Sequence, residues 1–313
     1  MTNFCLGSTY SKGYINTSTE LIPQNCAFKS IPDETHVFEE REHNVSVYHI
    51  TSALESGTIT DFDKTVISLI AVFGSAAITT KSITELLILM GIDFNKNLLE
   101  NSLKRLHRYH LINFSRFALP DGRQSHTRII TLMRYGSQVA KSLGVVHRFN
   151  PIAAATAETY AIKSRAETTQ LICNWLKNLP LESFSVRPVK VTDADSGAII
   201  RPAATIEIWG ETLYFEVPRR HDGWLEDLIG KLHRYELVFG KDFLPTIIIN
   251  GEDTAMNLEI SKAITREKIN SEFLFTDDLA MFGPAFKSCL YSFDSSDRII
   301  RFAITNNEKR KAV

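Results

Sequence analysis

The sequence has 313 residues, enough for about two domains, and its 44% apolar and 23% charged composition is ordinary for a protein with a hydrophobic core. It contains no apolar run near the ~20 residues that cross a bilayer and no leader-like start, so we expect a cytoplasmic protein without membrane segments. The four widely spaced cysteines form no CxxC pair, which excludes a zinc ribbon and a dense disulfide framework. We predict neither a metal nor a cofactor.

Charge is distributed unevenly along the chain. Lys and Arg minus Asp and Glu gives −4 for residues 1–59, +6 for 60–150 and −3 for 151–313, which together make the net charge of −1. Residues 1–58 are also rich in Ser, Thr and Asn and predict a weakly ordered N-terminal arm. A positive segment in a nearly neutral chain is typical of a phosphate-binding surface, so residues 60–150 are the first candidate for one.

Residues 59–147 have the pattern of three helices followed by a hairpin. Capping boxes at Thr60–Asp63 and Ser82–Glu85 open the first two helices, and Asn95–Tyr109 is a basic amphipathic helix. Two alternating segments then flank the turn Pro120-Asp121-Gly122. This order predicts a winged helix-turn-helix domain.

The helix Asn95–Tyr109 would bury Leu99, Leu103 and Leu106 on one side and expose polar side chains on the other. Long donors and amides on an exposed helix reach phosphates and base edges in a major groove, and arginines of a wing would hold the backbone. We therefore predict the DNA-binding residues Asn97, Asn101, Lys104, Arg105 and Arg108 on the helix and Arg116, Arg123 and Arg128 on the wing. A solvated helix face is the alternative interpretation.

A second domain is predicted after a linker and connecting helix at residues 148–180. Residues 181–290 alternate between strand and helix patterns and predict a mixed sheet with flanking helices, and residues 291–313 form a C-terminal tail. The main elements are a hairpin at Ala203–Trp209 and Leu213–Val217, a helix at Trp224–Phe239 and a buried strand at Leu244–Asn250. The fold class is therefore α+β or α/β, a winged helix-turn-helix followed by an α/β domain.

The second domain has the element order of PD-(D/E)XK nucleases, whose chemistry needs two carboxylates for Mg²⁺ and a Lys near the attacking water. Glu216 is in place, but Ala203 or Ala204 stands where the first acid is expected, and Pro218 stands where Lys is expected. We therefore predict a nuclease-like scaffold without cleavage activity. The candidate catalytic residues are Glu216 and Glu207, and the candidate phosphate ligands are Arg219 and Arg220.

The chain combines LKRLHRYHLI at 103–112 with LYFEVPRR at 213–220, which leads to KLHRY at 231–235. In this combination it resembles the replication-relaxation family over about residues 60–280. The resemblance implies a winged helix joined to a nuclease-like α/β domain, in a protein of a plasmid or conjugative element that takes part in replication, relaxation or mobilisation of DNA. Family members tend to carry acidic residues where this chain has Ala203 and Pro218.

These observations predict a sequence-preferring protein that binds double-stranded DNA, as an accessory factor in mobilisation or replication or as a transcriptional regulator. The second domain would form a homodimer, dock a relaxase or another mobilisation protein, or contact flanking DNA. Two alternatives stay open. One is a Mg²⁺-dependent endonuclease that uses Glu216, and the other is a winged helix that docks proteins.

Overall fold

The structure is a computed structural model. It describes residues 4–10, 35–38, 46–73, 77–118, 127–145, 157–186, 191–192, 197–240, 244–283 and 286–306. These residues form helices together with sheets of mixed direction, so the fold is α+β. Within them, no helix has the length and apolar character needed to cross a bilayer.

The strands of the described residues are β1 (Phe4–Tyr10), β2 (Thr35–Phe38), β3 (Ile78–Thr79), β4 (Ile112–Ala118), β5 (Ile129–Leu132), β6 (Ser183–Val186), β7 (Val191–Thr192), β8 (Ile199–Ile200), β9 (Ala204–Ile208), β10 (Glu211–Glu216), β11 (Thr246–Gly251), β12 (Glu272–Asp277), β13 (Leu290–Phe293) and β14 (Ile299–Asn306). The helices are α1 (Val47–Glu55), α2 (Asp61–Val72), α3 (Thr80–Leu89), α4 (Lys96–Arg108), α5 (Arg134–Ser142), α6 (Thr159–Asn178), α7 (Trp224–Phe239), α8 (Thr254–Glu267) and α9 (Asp278–Phe282).

The chain divides into two compact units. Ser30–Cys173 contains a four-stranded sheet and is called the small-sheet unit below. Met1–Lys29 and Asn174–Val313 contain an eight-stranded sheet and are called the large-sheet unit. Helix α6 contributes to both units, because the division falls after Cys173.

In the small-sheet unit, three helices precede a hairpin. The predicted capping box of α2 is present: the Asp63 amide donates to Thr60 Oγ1 at 3.3 Å, and the Thr60 amide donates to Asp63 Oδ2 at 2.7 Å. The cap predicted at Ser82 is wrong, because Thr79 Oγ1 accepts from the Ser82 amide at 3.0 Å and starts α3 at Thr80. Helix α4 begins after its N-cap Asn95, as predicted.

The four-stranded sheet has the order β2-β4-β5-β3, and all its pairs are antiparallel. Strands β4 and β5 are the predicted hairpin strands, with Ile112 opposite Leu132. The turn expected at residues 120–122 and Arg123 beside it lie outside the described residues. The core under this sheet is apolar, and its buried members include Val66, Ile70, Leu103, Leu106, Phe117 and Ile130.

Gly136 allows α5 to approach the start of the hairpin. A Cβ built on Gly136 would lie 1.9 Å from the carbonyl oxygen of Leu111, closer than any side chain can come. The same carbonyl accepts from the Met133 amide at 2.9 Å, so it cannot turn away without losing that bond. Glycine is therefore needed at this position for close packing.

The large sheet has the order β1-β14-β13-β12-β11-β10-β9-β6. Strands β10, β11 and β12 run parallel and the other pairs are antiparallel, so the sheet is mixed, as predicted. Helix α7 connects β10 to β11 and α8 connects β11 to β12, and their apolar side chains form one buried cluster with Tyr214, Ile247 and Ile249. Trp175 packs edge-on against Phe215, with ring centroids 5.1 Å apart.

Several strands lie where the sequence predicted little structure. Strand β14 falls in the expected C-terminal tail, and it pairs with β13 and with β1. Strands β1 and β2 and helix α1 fall in the expected N-terminal arm. Each of these strands bonds to a partner far away in the sequence, and a local pattern carries no information about such a partner.

Candidate nucleic-acid interface

Helix α4 presents one continuous polar strip. Its buried side chains are Leu99, Ser102, Leu103 and Leu106. At 3.6 residues per turn, Asn97, Asn101, Lys104 and Arg108 fall within an arc of roughly 60° directly opposite that buried face. All four are exposed. We call these four residues the α4 strip.

The strip is held in place because the opposite face of α4 is anchored. Asn95 Oδ1 accepts from the Leu98 amide at 2.8 Å and caps the helix. Leu99, Leu103 and Leu106 are at most 3% exposed, and burying a leucine fully contributes about 2 kcal/mol. The helix therefore has little freedom to rotate the strip inward.

Arg105 lies beside the strip and is hydrogen-bonded to Asp63 of α2. Its Nε donates to Asp63 Oδ2 at 2.7 Å and its Nη2 donates to Asp63 Oδ1 at 3.1 Å. The Asp63 side chain is fully buried. Burial raises the pKa of Asp63, but hydrogen bonds from Arg105 and Thr60 outweigh it, so this pKa lies below its ordinary value. The structure thus uses Arg105 to join α4 to α2.

The hairpin is attached to the other edge of α4 by aromatic and charged contacts. The His107 ring stacks on Phe114, with centroids 4.5 Å apart. The Arg128 guanidinium lies 4.5 Å from the centroid of the same Phe114 ring, and its Nη1 is 3.7 Å from Glu100 Oε2. Arg128 therefore contacts other residues of the chain, and 27% of its side chain remains exposed. Of the other predicted wing residues, Arg116 is half-buried and Arg123 is outside the described residues.

Lys104 and Arg108 are the cations of the strip. Among the residues that the structure describes, no carboxylate lies within ion-pair distance of either one. In the described part of the chain, no side chain is hydrogen-bonded to the side chain of Asn97 or Asn101. The strip therefore offers two amides and two cations to a ligand.

Glu216, the candidate nuclease residue, is buried at the end of β10 with both carboxylate oxygens bonded. Tyr235 Oη donates to Oε1 at 2.6 Å, and Lys231 Nζ donates to Oε2. Burial and the charge of Glu216 raise the pKa of Tyr235 well above its ordinary value, so the phenol keeps its proton and remains a donor. Both donors come from one face of α7, one turn apart.

The position of the expected first acid is directly beside Glu216. The Ala203 amide donates to the Phe215 carbonyl at 2.8 Å, which places a methyl side chain there. Glu207 does not substitute for the missing acid, because it pairs with Thr212, four residues before Glu216 on β10. Four residues of a strand span about 13 Å. Glu207 instead accepts from Ser183 Oγ at 2.6 Å.

The two arginines after β10 both form ion pairs with acidic residues, and Arg220 also remains exposed. Arg219 is buried; its Nη2 donates to Asp278 Oδ1 at 3.0 Å and its Nη1 to the Asn250 carbonyl at 3.0 Å. Burial raises the pKa of Asp278 to about 6, although the charge of Arg219 opposes this. Arg220 donates to Asp253 at 2.9 and 3.0 Å and to Glu252 at 3.0 Å.

The sequence indicated Lys231 as a possible phosphate or carboxylate partner and Tyr235 as a core residue, but it did not indicate the Asp63–Arg105 pair or the hydrogen bond from Tyr235 to Glu216. Lys231 and Tyr235 did have a signal, since a separation of four residues puts them on one face of α7. Asp63 had none, because its role in the capping box already accounts for an acid at that position. In the described ranges, no group of three or more His, Cys, Asp or Glu side chains is arranged to hold a metal. No protein-family model, curated protein or solved structure matches the chain.

Proposed function

We propose that the chain is a sequence-preferring protein that binds double-stranded DNA through α4. The observation that carries the proposal is the α4 strip, which exposes amides and cations opposite a fully anchored face. A helix with its side chains is about 10–12 Å across, and the major groove is about 12 Å wide. The strip therefore has the chemistry and the dimensions to contact DNA.

The surrounding elements support a winged-helix interpretation of the small-sheet unit. Helices α2, α3 and α4 precede the β4–β5 hairpin, and the short strand β3 pairs with β5. In such a domain the third helix enters the groove and the hairpin contacts the backbone. Arg128 directly precedes the return strand of the hairpin and lies 3.7 Å from Glu100 of α4, which supports a backbone contact close to this helix.

For the large-sheet unit we propose a binding role without cleavage. Tyr235 and Lys231 occupy both oxygens of Glu216, and Ala203 stands beside it where a second acid would be needed. The resemblance to the replication-relaxation family then favours an accessory factor for mobilisation or replication on a mobile element. In this role the unit would dimerise, dock a relaxase or contact flanking DNA.

Fluorescence anisotropy of the full chain with a labelled random-sequence duplex, measured over a salt series, tests the proposal. Each phosphate neutralised contributes about 0.9 to the slope of log affinity against log salt. We expect a slope of several units, with weaker binding at higher salt. A flat, weak response would overturn DNA binding and favour the alternative in which this unit docks another protein.

A further inference from the structure

The α4 strip is chemically divided along the helix axis. Its N-terminal half carries the neutral amides of Asn97 and Asn101, and its C-terminal half carries the cations of Lys104 and Arg108. Among the bases, amides pair best with adenine, whereas cations bind phosphates and guanine. The two halves are therefore suited to different tasks.

The length of the strip also separates these tasks. Asn97 and Arg108 are eleven residues apart, about 16 Å along the helix axis at 1.5 Å per residue. A recognition helix enters the groove with its N-terminal residues at the base edges, so over that length its two ends lie at different depths. One end reaches the bases, and the other rises to the phosphates at the groove edge.

Chemistry and position together assign the two ends. An Asn side chain can donate to N7 of adenine and accept from its N6 amino group as a bidentate pair, whereas an ammonium or guanidinium can bind either a phosphate or the O6 and N7 atoms of guanine. In helix-turn-helix proteins the residues near the start of the recognition helix contact base edges. Asn97 and Asn101 lie at that end of α4.

We infer that Asn97 and Asn101 read adenines in the major groove, while Lys104 and Arg108 bind phosphates of the same site. The two asparagines are one turn apart, about 6 Å along the axis, which is close to two base-pair steps of about 3.4 Å. The preferred DNA therefore contains two A·T pairs about two steps apart. This inference rests on the proposed function, since it assigns roles within the same surface.

The test is selection from a pool of duplexes with a randomised centre, followed by anisotropy on the enriched duplex. We expect the wild-type chain to enrich the pair of A·T positions. Asn97→Ala and Asn101→Ala should each lose preference at one of them, by roughly tenfold or more, with the salt slope unchanged. Lys104→Ala and Arg108→Ala should keep the base preference, weaken binding to all sequences and each lower the slope by about 1.

Gln138→Ala and Lys141→Ala are the matched controls, since both residues are exposed on α5 in the same unit. They should change neither the preference nor the slope. Full preference in Asn97→Ala and Asn101→Ala, or altered base preference in Lys104→Ala or Arg108→Ala, would overturn the inference while leaving DNA binding intact. Absence of salt-dependent binding by the wild-type chain would overturn the proposed function itself.

Discussion

Arg105 on α4 donates two hydrogen bonds to the carboxylate of Asp63 on α2, from its Nε at 2.7 Å and from its Nη2 at 3.1 Å. The same Asp63 closes the capping box of α2 by accepting from the Thr60 amide at 2.7 Å. One buried carboxylate therefore fixes both the start of α2 and the orientation of α4. The α4 strip depends on a residue that does not belong to it.

Removing Arg105 should destabilise the small-sheet unit. Arg105→Ala leaves the carboxylate of Asp63 buried without its cation, and we expect a loss of about 2 to 3 kcal/mol in the free energy of unfolding. Urea unfolding of the full chain followed by circular dichroism would measure it. Lys104→Ala, next to it but exposed, should stay within about 0.5 kcal/mol of wild type. Equal stability of Arg105→Ala and Lys104→Ala would show that the Asp63–Arg105 pair does not stabilise the fold.

The raised pKa of Asp278 predicts a pH effect in the large-sheet unit. Burial raises this pKa to about 6, whereas the ordinary value is about 3.9. Between these two values the folded chain holds a proton that the unfolded chain has lost, so this group makes the fold more stable as pH falls from about 6 to about 4.

Asp278→Asn removes the titration that causes this effect. The free energy of unfolding of wild type relative to Asp278→Asn should therefore increase by about 2 to 3 kcal/mol from pH 7 to pH 4. The variant also loses the ion pair with Arg219, but this changes the difference between the two proteins and not its dependence on pH. Unfolding curves at several pH values would show the difference. A constant difference for Asp278→Asn would contradict the assignment.

Two glycine-to-alanine substitutions should change the stability of the protein in opposite directions. Gly136→Ala places a Cβ 1.9 Å from the Leu111 carbonyl and should lower stability by about 2 kcal/mol or more, because α5 must move. Gly230 lies within α7 with no atom within 4 Å of a Cβ built there, so Gly230→Ala should raise stability by about 0.5 to 1 kcal/mol. Thermal unfolding of both variants decides this. A neutral Gly136→Ala would mean that α5 is less tightly packed than described.

Because both carboxylate oxygens of Glu216 accept hydrogen bonds from the protein, we expect no nuclease activity. With Mg²⁺ or Mn²⁺ and supercoiled plasmid, wild type and Glu216→Gln should give the same background of nicked product. Both oxygens of Glu216 are held by Tyr235 and Lys231, and no carboxylate stands at Ala203. Nicking by wild type that is lost in Glu216→Gln but retained in Glu207→Ala would establish the endonuclease alternative.

The sequence was informative at several places where the structure depends on neighbouring residues, although it misplaced the cap of α3. The capping box at Thr60, the start of α4 after Asn95 and the buried leucines of α4 all follow from spacings of three or four residues. Arg105 shows the limit of this reasoning. Its position in a basic helix suggests a ligand contact, but its partner Asp63 is 42 residues away, and only the packing of α2 against α4 brings them together.

Strands at the edges of the sheets were harder to find for the same reason. Strand β2 is stabilised by pairing with β4, with Thr35 opposite Ala118, and its own four residues carry no distinctive pattern. The candidate site was predictable in its residue types and its location on α4. The sequence could not predict which of these side chains are hydrogen-bonded within the protein, because such bonds depend on burial and on contacts between distant segments.

The pairing of β1 with β14 has a consequence for how the molecule folds. Phe4 lies opposite Asn306 and Tyr10 opposite Ile300, so β1 pairs with a strand that is synthesised much later. During synthesis, β1 has no partner strand until β14 has been made, whereas the contacts among α2, α3, α4 and the β4–β5 hairpin join segments that are much closer in the sequence. Closing so long a loop is slow, because the entropy is lost before the strand pairs form. The helices and hairpin of the small-sheet unit can therefore fold before β1 pairs with β14 at the edge of the large sheet.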